Sequence, residues 1–299
     1  MHHILAAIYI LLPHFSLQVY QRIIMQKSIL LLTLLFVFFN ARAQYYYNDV
    51  VSLKATNNIY QALKKNNIQQ VVADSREADQ TPTQGFVYSR TIKNNASLIA
   101  THTELETGGK SDQFETYSND QLIKMEDSSD NVLTTVEYSY TADGKILSVK
   151  TQTDDTAMDV HSTELHKWFY SGNAPDSMIR IKDNADSTII RFKKDDQQNI
   201  TEEIWMKKAR LIEHYFYYYN DKNQLTDIVR FNTKAQQMLP DYLFEYDDKG
   251  MISQLTQVPP GSSDYIIWKY VYDDKDLKTQ DVLFDKHQQL LGTVTYTYR

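Results

Sequence analysis

The 299-residue chain contains no cysteine, and only 8 glycines and 6 prolines. Without cysteine there is no disulfide, thiolate metal site, thiol nucleophile or lipid-bearing lipoprotein cysteine. The scarcity of glycine and proline excludes a collagen-like or low-complexity chain. Also missing are a Gly-x-Ser-x-Gly elbow, a Walker loop, a dinucleotide fingerprint and a His-Glu-x-x-His pair. The chain therefore offers no marked nucleophile, base or phosphate cradle. A non-enzyme without a cofactor is expected.

Acidic residues are missing from the first 43 positions, which hold Arg22, Lys27 and Arg42. Removing those three cations takes the formal net charge from -7 to -10 for the chain from Gln44. An acidic surface repels phosphate backbones, so nucleic acid is not an expected partner. Lys27, the apolar run from Ile29 to Phe39 and Ala41-Arg42-Ala43 follow the order of a secretory signal. The run is shorter than the roughly 20 apolar residues that a membrane span needs. Cleavage is expected after Ala43, with Ala41 and Ala43 read by the peptidase and Gln44 as the mature start. Residues 1–24 add a second apolar stretch. They read as a start-site error upstream of Met25, with a genuine membrane-associated extension as the rival.

What is present in quantity is tyrosine, with 20 of 22 falling after Ala43, alongside many threonines and isoleucines. Aromatic and β-branched side chains suit a pleated, half-buried surface. Residues 44–85 read as one short helix and a linker. Asn48 or Asp49 would cap the helix, Val50, Leu53, Ile59, Ala62 and Leu63 would form its apolar stripe, and Asn66-Asn67 would stop it. Ile68 to Ala73 reads as a short strand, and Ala78 to Gly85, with Pro82, as a polar linker.

Residues 86–299 change to a period of two. Val136–Tyr140, Tyr242–Tyr246 and Ile266–Tyr272 alternate aromatic or aliphatic residues with mixed ones, the mark of one buried and one wetter sheet face. Between them lie turns such as Thr141-Ala-Asp-Gly144, Asn220-Asp-Lys-Asn223, Asp247-Asp-Lys-Gly250 and Asp273-Asp-Lys-Asp276. Asp, Asn and Gly are favoured there because they tolerate positive φ and bond their own backbone. The anchors Tyr117, Tyr140, Tyr170, Phe192, Tyr219, Tyr246 and Tyr272 recur every 22 to 30 residues, so each unit is a hairpin plus its return. The fold class expected is mainly β. About fifteen strands would form a long antiparallel meander of consecutive hairpins, a twisted and curved sheet preceded by the short N-terminal helix.

Tyr246-Asp-Asp-Lys-Gly250, with Phe244 before it and Ile252 after it, resembles the YD repeat of RHS-type proteins, and Tyr140 to Gly144 and Tyr272 to Asp276 match more loosely. The resemblance spans about 136–299. It departs from the family where Gly144-Lys145 and Gly250-Met251 replace the usual Gly-Arg. It implies a twisted hairpin sheet and does not carry over the family's encapsulating role. The whole chain is also similar to small exported bacterial proteins that open with Gln-Tyr-Tyr-Tyr after the signal.

Two histidine-carboxylate pairs, His102 with Glu104 and Glu164 with His166, have one-face spacing but read as ordinary alternation on a wet sheet face. The acidic pairs in the turns read as turn chemistry. The surface reading falls on aromatic rows: Trp168 with Tyr170, and Trp268 with Tyr270 and Tyr272. As exposed rings these would stack on a glycan; as core they would hold the sheet together. The leading functional expectation is an exported, non-enzymatic binding or scaffold protein whose partner is a glycan or other envelope or surface component. Two alternatives stand beside it. One is an outer-membrane β-barrel closed by Val294-x-Tyr296-x-Tyr298. The other is a curved sheet carrying an apolar guest against Phe244, Trp268 and Tyr270.

Overall fold

The computed structural model describes residues 44–106, 109–232, 236–259 and 264–299. The signal segment, with Ala41 and Ala43, lies outside them. Gln44–Arg299 forms a single unit.

A π-helical turn, Tyr46–Val51, runs directly into α1, Ser52–Lys65. The helix thus begins earlier than its sequence signals suggest, and no side chain at its own N-cap position caps it. Its buried face is Leu53, Tyr60 and Leu63, whereas Ile59 points outward. Asn66 and Asn67 stop it as expected. The Asn66 amide donates to the Ala62 carbonyl at 2.8 Å, and Asn67 turns to φ 54°.

Strands follow without interruption. The first are β1 Gln70–Glu77, β2 Val87–Lys93, β3 Leu98–Leu105, β4 Gly109–Ser118, β5 Gln121–Ser129 and β6 Val132–Tyr140. Then come β7 Ile146–Asp155, β8 Val160–Ser171, β9 Ala174–Lys182, β10 Asp186–Lys194, β11 Ile200–Lys207 and β12 Arg210–Tyr219. The last are β13 Leu225–Asn232, β14 Gln237–Tyr246, β15 Ile252–Gln257, β16 Ile266–Tyr272, β17 Lys278–Asp285 and β18 Leu290–Tyr298. Each pairs antiparallel with its neighbour in sequence, and β1 pairs with β18 from Val71 opposite Tyr298 to Glu77 opposite Gly292. The sheet is therefore a closed barrel of 18 strands, not the open meander of about fifteen that the repeat count suggests. The segment expected to be an N-terminal strand and linker is part of this ring: β1 closes it, and residues 78–86 are a hairpin loop.

Closure has a local cause that recurs around the ring. The register shifts by one residue at Tyr117, Tyr140, Tyr170, Lys194, Tyr219, Tyr246 and Tyr272. Each shift is a β-bulge at the end of a hairpin, and a bulge bends its strand and adds right-handed twist. Such bends, repeated around the ring, curl the sheet until its edges meet.

The tyrosine-aspartate repeat sits on these bulges. The hydroxyls of Tyr219, Tyr246, Tyr272 and Tyr298 donate to the carbonyls of Ile200, Leu225, Ile252 and Lys278 at 2.6–3.1 Å. Each acceptor is the residue paired at the bulge of the preceding hairpin. The tyrosine thus staples one hairpin to the next where the ladder is disrupted. The acidic or amide residue after it organises the turn. Asp195, Asn220, Asp273 and Asp285 each accept from the backbone N–H two and four residues ahead, at 2.8–3.0 Å. The fourth turn position is left-handed in Gly144, Gln198, Asn223, Gly250, Asp276 and Gln288, which explains its bias to Gly, Asn and Asp.

Removing the Tyr246 hydroxyl with Tyr246→Phe should cost about 1 kcal/mol. Gly250→Ala should cost about 1 kcal/mol, because φ is +83° and the new Cβ would stand 3.0 Å from the Gln224 amide nitrogen. Gln288→Gly should stabilise by about 0.5 kcal/mol through relief of the same strain. Urea unfolding midpoints would check all three.

Candidate functional site

Period-two alternation sends one set of side chains into the barrel, and the N-terminal segment occupies that interior. Its contacts reach strands on several sides of the ring. The Tyr60 ring stacks on Tyr117 of β4 at 3.9 Å, and its hydroxyl donates to Asp120 at 3.0 Å. Asp49 meets β8, Gln44 meets β14, and Asn66 reaches the turn between β16 and β17. The segment is a plug made from the chain itself.

Three buried acidic centres hold it. Glu203 of β11 is fully buried. One of its oxygens accepts from the Tyr45 N–H at 2.9 Å and the Trp205 indole at 2.6 Å. The other accepts from the Tyr46 N–H at 3.0 Å and the Tyr217 hydroxyl at 2.5 Å. Four donors fill the four lone-pair sites of one carboxylate, which satisfies two orphan N–H groups at the start of the helical segment. Burial lifts the Glu203 pKa, and these donors oppose the lift.

Asp49 is the second centre. One of its oxygens is 2.6 Å from His166 Nδ1 and accepts from the Trp168 indole at 3.0 Å. His166 Nε2 lies 2.8 Å from Glu164, and Arg180 donates to the other Glu164 oxygen at 2.5 Å. With a carboxylate at each ring nitrogen, His166 is held as an imidazolium. Burial alone would lower its pKa, but Asp49 and Glu164 outweigh that and raise it to about 9. Burial would raise the Glu164 pKa, and His166 and Arg180 instead draw it down to about 2.

Asp241 of β14 is the third, accepting from the Gln44 amide at 2.6 Å and from Arg230 at 3.3 Å. Burial pushes its pKa up to about 6 against the pull of Arg230 and Gln44. Aromatic contacts fill the space between these centres. Tyr45 stacks on Trp205 at 4.5 Å and meets His166 edge-on at 4.7 Å, and Tyr47 packs on Tyr242 and Phe244 at 5.1 and 5.5 Å.

The aromatic rows proposed as a stacking surface therefore belong to the interior. Trp168 and Trp268 are buried, and Trp168 spends its indole N–H on Asp49. Tyr272 staples its hairpin. The Tyr170 and Tyr270 rings are half-buried and lie under Lys145 and Lys278. None presents a free row of rings to a glycan, because period two sends all five to the side that the barrel encloses. The place assigned to an apolar guest at Phe244 holds the chain's own Tyr47. Gln44, expected only as a cleavage product, is a plug residue. His102 lies on the outer wall beside Asp112 at 2.7 Å, whereas the pair Glu164 and His166 is an interior ion pair. Among the described residues no group of three His, Asp or Glu is arranged to hold a metal.

Glu203 and Arg180 carry the plug contacts without standing out in the sequence, and Glu164 stands out there only as ordinary alternation beside His166. A signal existed for two of them: Glu203 shares the inward parity of Trp205, and Glu164 that of His166 and Trp168. Asp241 had none, since a bulge between Pro240 and Tyr242 is what turns it inward.

No family model matches the chain, and no curated protein matches it. Among solved structures, a porin-like protein from Bacteroides uniformis aligns at 10% identity and a TM-score of 0.38, covering 78% of this chain and 96% of that one. A porin-like protein from Bacteroides vulgatus aligns at 8% and 0.30, covering 78% and 98%. At these scores the likeness assigns neither a fold nor an activity.

The His166 pKa is raised from 6.5 to about 9 in the fold, so its stabilisation is complete below pH 6.5 and is lost as pH rises through 9. Thermal unfolding should fall by up to about 3 kcal/mol across that window. His166→Gln should flatten it. Glu203→Gln turns an amide NH2 toward two of the four donors and should cost about 2–4 kcal/mol, measurable by the same unfolding assay.

Proposed function

We propose that this chain is an exported, non-catalytic barrel of the bacterial envelope that works in water, scaffolding or binding another envelope component on its outer wall. The single observation that carries this reading is the charge on that wall. Lys124 pairs with Glu126 at 2.8 Å, Lys150 with Glu137 at 3.7 Å, and Glu202 with Lys193 and His214 at 3.0 and 2.8 Å. Glu126, Glu137, Lys150 and the exposed Lys269 stand near the middle of their strands. A lipid-facing Lys at the bilayer midplane costs about 2–4 kcal/mol, so a hydrocarbon belt opposes this wall. The interior is occupied by the plug, which argues against conduction and against carriage of a bulky guest. Its acids and His166 hold the chain to itself.

A second reading, an outer-membrane barrel, is favoured by one observation. Over β8 to β13 the outer wall exposes Phe169, Ile189, Ile212, Tyr218 and Phe231, an arc of large apolar side chains. In the first reading this arc is the face offered to the partner.

Expression of the full chain with export, followed by fractionation, separates the two. The water-borne barrel should stay in the supernatant after high-speed centrifugation without detergent. Recovery solely from the outer-membrane pellet, released only by detergent, would select the second reading.

A further inference from the structure

Gln44, the first described residue, is 3% exposed and lies inside the barrel. Its side-chain amide donates to buried Asp241 and its carbonyl accepts from the Asn48 N–H at 2.9 Å. The next nitrogen along the chain, that of Tyr45, is bonded to Glu203. Four carboxylates gather around this end of the plug: Asp49, Glu164, Glu203 and Asp241. The charge of Glu213 also reaches Asp241. Their partners supply three cations, His166, Arg180 and Arg230. Glu203 is the member without a cation, because its four partners are two backbone N–H groups, an indole and a hydroxyl, all neutral. A buried carboxylate left without a cation is costly, and the cluster is short of one positive charge.

We propose that the chain is cut between Ala43 and Gln44 and that the freed α-ammonium of Gln44 is the missing cation, locking the plug into the lumen. The inference rests on the export reading above and adds to it a structural role for the cut. Water adds across the Ala43–Gln44 peptide bond under an envelope protease. The C–N bond breaks, Ala43 leaves as a carboxylate, and Gln44 keeps its nitrogen as an ammonium. That nitrogen is one residue from the Tyr45 N–H held by Glu203, so the new charge appears inside the cluster. In an uncut chain the same atom is a neutral amide, and the polypeptide must find a way out of the lumen from a buried residue. Ala41-Arg42-Ala43 immediately precedes Gln44, which is buried. The sequence requirement of the peptidase and the charge requirement of the lumen thus fall on one bond.

The test is to export the full chain, purify the mature protein, and measure its intact mass and N-terminal sequence. It is then treated with an amine-acylating reagent, folded and in urea, with exposed lysines as internal controls. The expected result is a chain beginning at Gln44 with a free amine that is acylated roughly a hundredfold more slowly when folded than in urea. Lysine labelling should be similar in both states. A Gln44 start whose amine reacts equally fast in both states would overturn the lock and leave export standing. So would a terminus cyclised with loss of ammonia, which carries no charge. A chain recovered uncut in the cytoplasm would remove both the lock and the export reading.

Discussion

A β-bulge breaks the ladder of a sheet, and in this protein the break is answered by a tyrosine hydroxyl from the next hairpin. Everything larger depends on that exchange. The bulge supplies the bend and the twist, and the hydroxyl holds the bent strand to its neighbour. Because bulges recur around the ring, curvature accumulates, and β18 arrives beside β1. Closure leaves no strand edge unpaired, which a sheet of this length would otherwise expose to aggregation.

The ring then creates its own problem, an interior too wide for wall side chains alone. The N-terminal segment fills it, and the filling is partly ionic. Carboxylates on the wall accept backbone N–H groups and indole N–H groups from rings packed beside them, so the plug is fixed in orientation as well as position. Buried ion pairs are weak sources of net stability but costly to break singly. A plug held by Glu203, Asp49 and Asp241 is therefore placed in one way and tolerates little deviation from it.

The turns and strand faces were legible from sequence because both are local. An Asp that caps its own turn and a Tyr at the inward parity need no knowledge of the rest of the chain. β16 begins and ends where the alternation places it, at Ile266 and Tyr272. Closure was not legible, since one extra residue per hairpin is invisible until its bends are added around the ring. The role of the tyrosine cluster at 45–47 was hidden for another reason: its partners lie more than a hundred residues away, as in the Gln44 contact with Asp241 across 197 positions. The aromatic rows were seen, and the core alternative to a binding surface was the one the structure adopted. A ring of strands has an inside, and the largest side chains go there.

Repeat proteins that stack in a line have two exposed ends and need special capping units to cover them. This barrel uses the same kind of unit and has no ends, because β18 pairs with β1, and its Tyr298 staples β18 as Tyr219, Tyr246 and Tyr272 staple their own hairpins. A cap is therefore superfluous, and the usual freedom of such arrays to gain or lose a unit disappears. A ring with one hairpin fewer would have to change its circumference and the fit of the segment inside it. The number of repeats is set by what they enclose.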